Sequence, residues 1–367
     1  MAATTTAAEA TRSMPRPLRA TVDISALRHN LGVAKNHAPH ARIMAVIKAN
    51  GYGHGMLRTA KALVGADGFA VLNLAEAITL REAGFTQEIL LLEGFFSADE
   101  LPLLARHCLS SVIHAQWQID ALLKMPISAP VSAWLKINTG MNRLGFQPNE
   151  LPAALQSLHQ IGAQVTLMTH FACADERDGI AEQMALFNSI TSSQQLPRSL
   201  SNSAAVLNYP EAHGDWVRPG IMLYGASPMS QQSASELGLK PVMTLSSELI
   251  AMRDIPTGAA VGYGASFRAP EAMRIGTVAC GYADGYPRHA PSGTPVLVDG
   301  QQSRIIGRVS MDMLTVDLSQ IPAARIGSPV TLWGAGLPVD EVASAAGTIS
   351  YELLCAIAAR VPIVEAA

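Results

Sequence analysis

The feature that most constrains this chain is a repeated alternation of short apolar runs with amphipathic stretches. Strand signals recur near 42–47, 68–73, 88–93, 110–114, 131–137, 164–170, 198–202 and 220–224. Helical patterns separate them, including 56–64, 74–83, 98–106, 116–123, 150–160 and 180–192. Eight successive strand-then-helix units predict a parallel (β/α)8 barrel, with chemistry at the carboxyl ends of the strands. A doubly wound open sheet is the competing arrangement. Before the first unit, Ala20 to Ile24 reads as a strand outside that count. Asp23 or Ser25 can cap the helix that follows.

From about residue 240 the pattern changes. Val242 to Arg253 alternates as a strand does, and Ile275 to Gly281 and Pro295 to Val298 read as further strands. Asp299-Gly300 is a hairpin turn leading into a strand pattern over Ser303 to Leu318. Val339 to Arg360 is partly helical. The expected organisation is a disordered extension over 1–18, the barrel over 19–240 and a mainly β domain over 241–367. Residues 1–18 are rich in Ala and Thr and carry no apolar period.

Composition narrows the function. The chain has 367 residues, 49% of them hydrophobic, and a formal net charge of -3, so a large core is expected and a basic stripe for nucleic acid is missing. No apolar run nears the ~20 residues of a membrane span. Cys108, Cys173, Cys280 and Cys355 have no paired spacing, so neither a disulfide framework nor a metal site is indicated, and a reducing cytoplasm is expected. The start has no secretory h-region, and Met14 offers an alternative initiation site.

The candidate chemistry lies at strand ends. Lys48, Asn73, His114, Lys136, His170, Asn202 and Tyr224 each sit at or just past an apolar strand. Any one of them alone could be a satisfied polar residue at a strand terminus. In Ala45-Val46-Ile47-Lys48-Ala49-Asn50-Gly51-Tyr52-Gly53-His54-Gly55, burial would lower the lysine's pKa toward that of a usable amine, which suits Schiff-base chemistry. The alternative is a lysine snorkelling from an ordinary loop. The alternate glycines let backbone approach a ligand, and Tyr52 can hydrogen-bond a phosphate oxygen. Arg143, seven residues past Lys136, is a bidentate grip for a carboxylate or part of a solvated loop. His170 by itself reads as a hydrogen-bonded core histidine. Ser201-Asn202-Ser203 and Arg218-Pro219-Gly220-Ile221 bracket the last two strands, where barrels build phosphate sites. Ser203 and the amides of Gly220 and Ile221 are the candidate ligands there.

Taken together these segments closely resemble the alanine racemases, from about Arg19 to Val364. The resemblance implies an isomerase that interconverts L- and D-alanine, with Lys48 holding pyridoxal 5'-phosphate as an aldimine. It places Tyr52, His170, Asn202, Ser203, Arg218, Gly220, Ile221 and Tyr351 around the cofactor. Arg143 and the Met311 amide would hold the substrate carboxylate. Lys136 corresponds to a lysine that is often carbamylated, and Tyr282 to the entrance. Arg218 facing the pyridine nitrogen would limit delocalisation into the ring and favour return of the Cα proton.

Racemisation needs a base on each face of Cα, and the resemblance assigns the second to Tyr263 of Val261-Gly262-Tyr263-Gly264. A phenol needs a nearby cation such as Arg143 to act as a base. In the family this tyrosine serves the neighbouring subunit, which implies a homodimer with composite sites. The implied role is D-alanine supply for peptidoglycan or D-alanine breakdown. A racemase of broader specificity, a related barrel decarboxylase and a non-catalytic pyridoxal-phosphate carrier are the alternatives. The decarboxylase normally sets a carboxylate where Arg218 stands, and the carrier would have no use for Tyr263.

Overall fold

The computed structural model of the chain describes residues 16–125 and 131–366. Strand β1 (Arg19–Asp23) comes first, and Asp23 accepts the Ala26 amide at 2.9 Å, capping the helix Ile24–His37. Eight parallel strands then form the barrel: β2 (Arg42–Val46), β3 (Gly68–Val71), β4 (Glu88–Leu91), β5 (Ser110–Ile113), β6 (Ser132–Lys136), β7 (Gln164–Met168), β8 (Arg198–Ser199) and β9 (Trp216–Val217). Their spatial order is β8-β7-β6-β5-β4-β3-β2-β9. Bonds from Asp215 N to Arg198 O and from Arg218 N to Ser201 O, both 2.9 Å, tie β8 to the chain around β9 and close the ring. Most strand residues are fully buried, as expected where helices cover one face and the barrel core the other.

The eighth strand is not where its apolar run placed it. Residues 220–224 hold a 3-10 turn, Ile221–Tyr224, and the barrel strand is the shorter β9 just before. Pro219 has no amide to donate to a ladder, although its carbonyl still accepts Val46 N at 3.0 Å. All four turn residues are buried, so the turn has the same unbroken apolar signature as an interior strand.

The remaining strands are β10 (Met243–Ile255), β11 (Ala260–Val261), β12 (Phe267–Arg268), β13 (Met273–Val278), β14 (Pro295–Val298), β15 (Gln301–Arg304), β16 (Leu314–Asp317), β17 (Pro329–Trp333) and β18 (Ile363–Ala366). One sheet runs β15-β14-β17-β10-β1-β18, with β13 joining β10 to β16. The Asp299-Gly300 turn is a two-residue hairpin with both φ positive, 50° and 75°, and pairs Val298 with Gln301. The strand expected over 303–318 is two strands, β15 and β16. The segment between them carries Arg308 to Asp312 as loop.

Two compact units result. One holds residues 22–243, 349–355 and 365–366; the other holds 16–21, 244–348 and 356–364. The extension expected over 1–18 lies outside the described residues up to 15, and its last three residues are tied down. Leu18 is buried, and Arg16 donates to both oxygens of the buried Asp284 carboxylate at 2.5 and 2.8 Å.

Candidate active site

A cavity of about 670 Å3 lies at the carboxyl ends of the barrel strands. Lys48 stands two residues past β2 and opens a turn of unusual hand. Ala49, Asn50, Gly51 and Tyr52 have φ of 53, 54, 61 and 50°, one left-handed helical turn. L-residues in that region cost roughly 1–2 kcal/mol each, so the surroundings must enforce it. His54 does so from one side: its Nδ1 faces the carbonyls of Gly51 and Tyr52 at 3.0 and 2.8 Å. The glycines expected to admit a ligand instead admit protein. A Cβ on Gly51 would meet Thr59 Oγ1 at 2.6 Å, and one on Gly53 the Leu354 carbonyl at 2.1 Å.

That packing brings distant residues to the same wall. The helix Ser350–Cys355 places Tyr351 beside Tyr52, ring centroids 6.1 Å apart, and Tyr52 stacks on Tyr224 at 4.5 Å. Burial, then the neighbouring Tyr351, raises the Tyr52 phenol well above its usual range, so it stays a hydrogen-bond donor. Its hydroxyl lies against Gly220, where a Cβ would come within 2.6 Å. Ser203 Oγ accepts from the amides of Gly220 at 2.8 Å and Met222 at 3.4 Å, which folds the 3-10 turn against the helix Ser203–Asn208. Asn202 caps that helix through Ala205 N at 3.1 Å and donates to Phe171 O at 3.3 Å.

The same lining carries the cations Arg218, Lys136 and Arg143. Arg218 is buried, and every acceptor it meets is uncharged: Ser199 Oγ at 2.7 Å, Thr169 O at 2.8 Å, Leu200 O at 3.1 Å and His170 Nδ1 at 3.3 Å. Desolvation lowers its pKa to about 9, and it remains charged at neutral pH. An arginine cannot accept, so His170 Nδ1 is the acceptor and its proton sits on Nε2. Burial, reinforced by Arg218, Lys136, Arg143 and Lys48, holds His170 well below its usual value and keeps it neutral. Lys136, at the end of β6, is lowered to about 8 by burial and then by Arg218, Arg143 and Lys48.

Arg143 sits on an exposed loop that is closed at its base. Asn138 N donates to Phe146 O and Phe146 N to Lys136 O, both 2.9 Å. Gly145 (φ 121°) allows this closure, because a Cβ there would lie 2.8 Å from Asn138 N. Inside the loop, Asn138 Oδ1 accepts from Gly140 N and Asn142 N at 3.1 and 2.9 Å.

With this geometry in view, the comparisons are direct. The alanine racemase N-terminal domain family matches residues 22–228, and the alanine racemase C-terminal domain family matches residues 242–365. The chain belongs to the alanine racemase family. It is 58% identical to the alanine racemase of Nitrosospira multiformis over 352 residues, 95% of this chain and 99% of that one. It is 54% identical to a Klebsiella aerogenes protein named alanine racemase, catabolic, over 96% of this chain and 99% of that protein. The crystal structure of the biosynthetic alanine racemase from Pseudomonas aeruginosa superposes with a TM-score of 0.94 at 52% identity, covering 96% of this chain and all of that one. The barrel followed by a mainly β domain is the architecture of the family.

Eleven residues singled out from sequence line the one cavity: Lys48, Tyr52, Lys136, Arg143, His170, Asn202, Ser203, Arg218, Gly220, Ile221 and Tyr351. Three others lie in the second unit and are exposed: Tyr263 at 71%, Met311 at 53% and Tyr282 at 38%. Met311 is held there by backbone, its carbonyl accepting Ala283 N at 2.9 Å. Asn73 does not reach the cavity; it caps the helix Leu74–Glu82 through Glu76 N at 3.0 Å. Sequence reasoning passed over Glu93, a carboxylate lining the cavity. It closes the 88–93 strand pattern, so the strand-end rule that selected Lys136 would have found it.

Proposed function

We propose that the chain interconverts L- and D-alanine with pyridoxal 5'-phosphate as cofactor, and that two copies pair so that each completes the other's site. The observation that carries this reading is the charge of the cavity. Lys48, Arg143 and Arg218 line it against the single carboxylate of Glu93, an excess suited to a phosphate and a substrate carboxylate together even with Lys136 left out of the count. The cofactor fits these residues. Lys48 would tether it, Tyr52, Tyr351, Ser203, Gly220 and Ile221 would hold its phosphate, and Asn202, His170 and Arg218 would border its ring.

When bound, the cofactor supplies an electron-withdrawing ring that acidifies the substrate's Cα–H. Arg218, charged at neutral pH and able only to donate, would not give up a proton to the ring nitrogen as a carboxylic acid would, which would restrain delocalisation and favour return of the proton to Cα. Lys48 removes or returns the proton on one face, and Tyr263 of the partner subunit does so on the other. Arg143, with the Met311 amide of the partner subunit, holds the carboxylate, and its charge supports the phenol as a base. Tyr282 of the partner subunit stands at the entrance. Lys136, its pKa lowered to about 8 and so partly neutral at physiological pH, would add carbon dioxide at Nζ with release of one proton to solvent, and the carbamate anion would steady Arg143. Four unpaired cysteines, two of them exposed, support a cytoplasmic setting.

Replacing Lys48 with Ala is expected to remove both the visible absorbance of the bound cofactor and all racemisation, read by chiral assay of each alanine enantiomer. Retention of both in that variant would reject the proposal.

A further inference from the structure

We infer that Gln183 is a positioning residue that sets the Arg143 loop against the end of β7, and so tunes the grip on the substrate carboxylate. The inference rests on the carboxylate role proposed for Arg143. Gln183 lies in the first turn of the helix Ala181–Thr191 and reaches back to the segments that follow the neighbouring strands β6 and β7. Its Oε1 accepts the Ala172 amide at 2.8 Å, and its Nε2 donates to His170 O at 3.1 Å and to Thr139 Oγ1 at 3.0 Å. Both amide protons are thereby engaged, and a flipped amide would set oxygen against two acceptors.

The chain of bonds continues inward in one direction only. Thr139 Oγ1 and Thr169 Oγ1 are 2.7 Å apart, and Thr169 donates to Ile137 O at 3.0 Å. A hydroxyl has one proton, so Thr139 must donate to Thr169 and can only accept from Gln183. Both threonines are buried, at 4% and 1% exposure, so water does not reach the bond between them. Ile137, Thr139 and Gly140 form the root of the loop that carries Arg143, and a Cβ on Gly140 would sit 3.6 Å from Gln183 Cγ. Thr169 and His170, on the other side, supply two of the four acceptors that Arg218 meets. The Gln183 amide thus adds a side-chain tie, beside the Thr139–Thr169 and Thr169–Ile137 bonds, between the root of the loop that carries Arg143 and the end of β7.

The test is a double-mutant cycle on the purified holoenzyme. Gln183→Ala is expected to raise KM for alanine about tenfold while cofactor absorbance is retained, and to add less than about twofold when Arg143 is already Ala. Gln183→Met keeps the contact with Gly140 but not the amide; it should repeat the KM effect and serves if the alanine variant fails to fold. Gln183→Glu, which preserves the acceptor for Ala172 N alone, should fall between. The inference is overturned if KM stays within twofold in both the Ala and Met variants, or if the full rise persists in the Arg143→Ala background. A separate result, Arg143→Ala leaving KM unchanged, would instead defeat the carboxylate role on which the inference stands.

Discussion

His54 shows how a residue outside the chemistry can govern it. The imidazole is fully buried, two carbonyls hold its Nδ1–H, and Nε2 has no protein partner. Protonating Nε2 would bury a charge with an unmet donor, and burial accordingly pushes the pKa down to about 4. The unfolded chain, near 6.5, binds this proton first, so stability is lost as pH falls from about 6.5 toward 4. The loss from this group is about 2–3 kcal/mol between pH 7 and pH 4.5. Urea unfolding of wild type and His54→Gln at the two pH values checks it. The variant should lose less by roughly that amount, and equal losses would mean that the histidine is not responsible. The lowered His170 acts in the same direction in both proteins.

At the scale of elements, the left-handed turn after Lys48 and the helix Ser350–Cys355 depend on each other. Gly53 has φ 80°, and the Leu354 carbonyl occupies the place of its Cβ, an obstacle that cannot rotate away. Gly53→Ala should destabilise the protein by about 3 kcal/mol or more, by strain plus overpacking, and weaken cofactor retention by separating Tyr351 from Tyr52. Gly84 is the matched control: φ is 88° but nothing lies within 4 Å of its missing Cβ, so Gly84→Ala should cost only about 1 kcal/mol. Thermal unfolding and dilution of the cofactor-loaded variants measure both. If the two substitutions cost the same, the contact with Leu354 is not what holds the turn.

For the whole molecule, the question is whether one chain suffices. Tyr263, Tyr282 and Met311 are exposed in a unit separate from the lysine cavity, as residues offered to another copy would be. Lys48→Ala and Tyr263→Phe each disable one contribution. If the sites are composite, refolding the two variants together at equal amounts should restore about a quarter of wild-type activity, because half the dimers are mixed and each has one intact site. Activity no higher than the sum of the separate variants would place the tyrosine's work within its own chain.

The sequence by itself determined the repeating strand-helix order, the hairpin at Asp299-Gly300 and the polar residues at strand ends, because these follow from local periodicity and turn chemistry. Lys48, Lys136 and His170 could be singled out because a parallel barrel gathers the carboxyl ends of its strands in one place. Only the tertiary structure decided that Ile221–Tyr224 is a turn, since burial erases the difference between an apolar turn and an apolar strand. It alone showed that the alternate glycines make room for Thr59 and Leu354, and that Gln183 bonds both to Ala172, eleven residues before it, and to Thr139 past the neighbouring strand. The contacts of Gly53 with Leu354 and of Gln183 with Thr139 join residues far apart along the chain, and no local pattern encodes them.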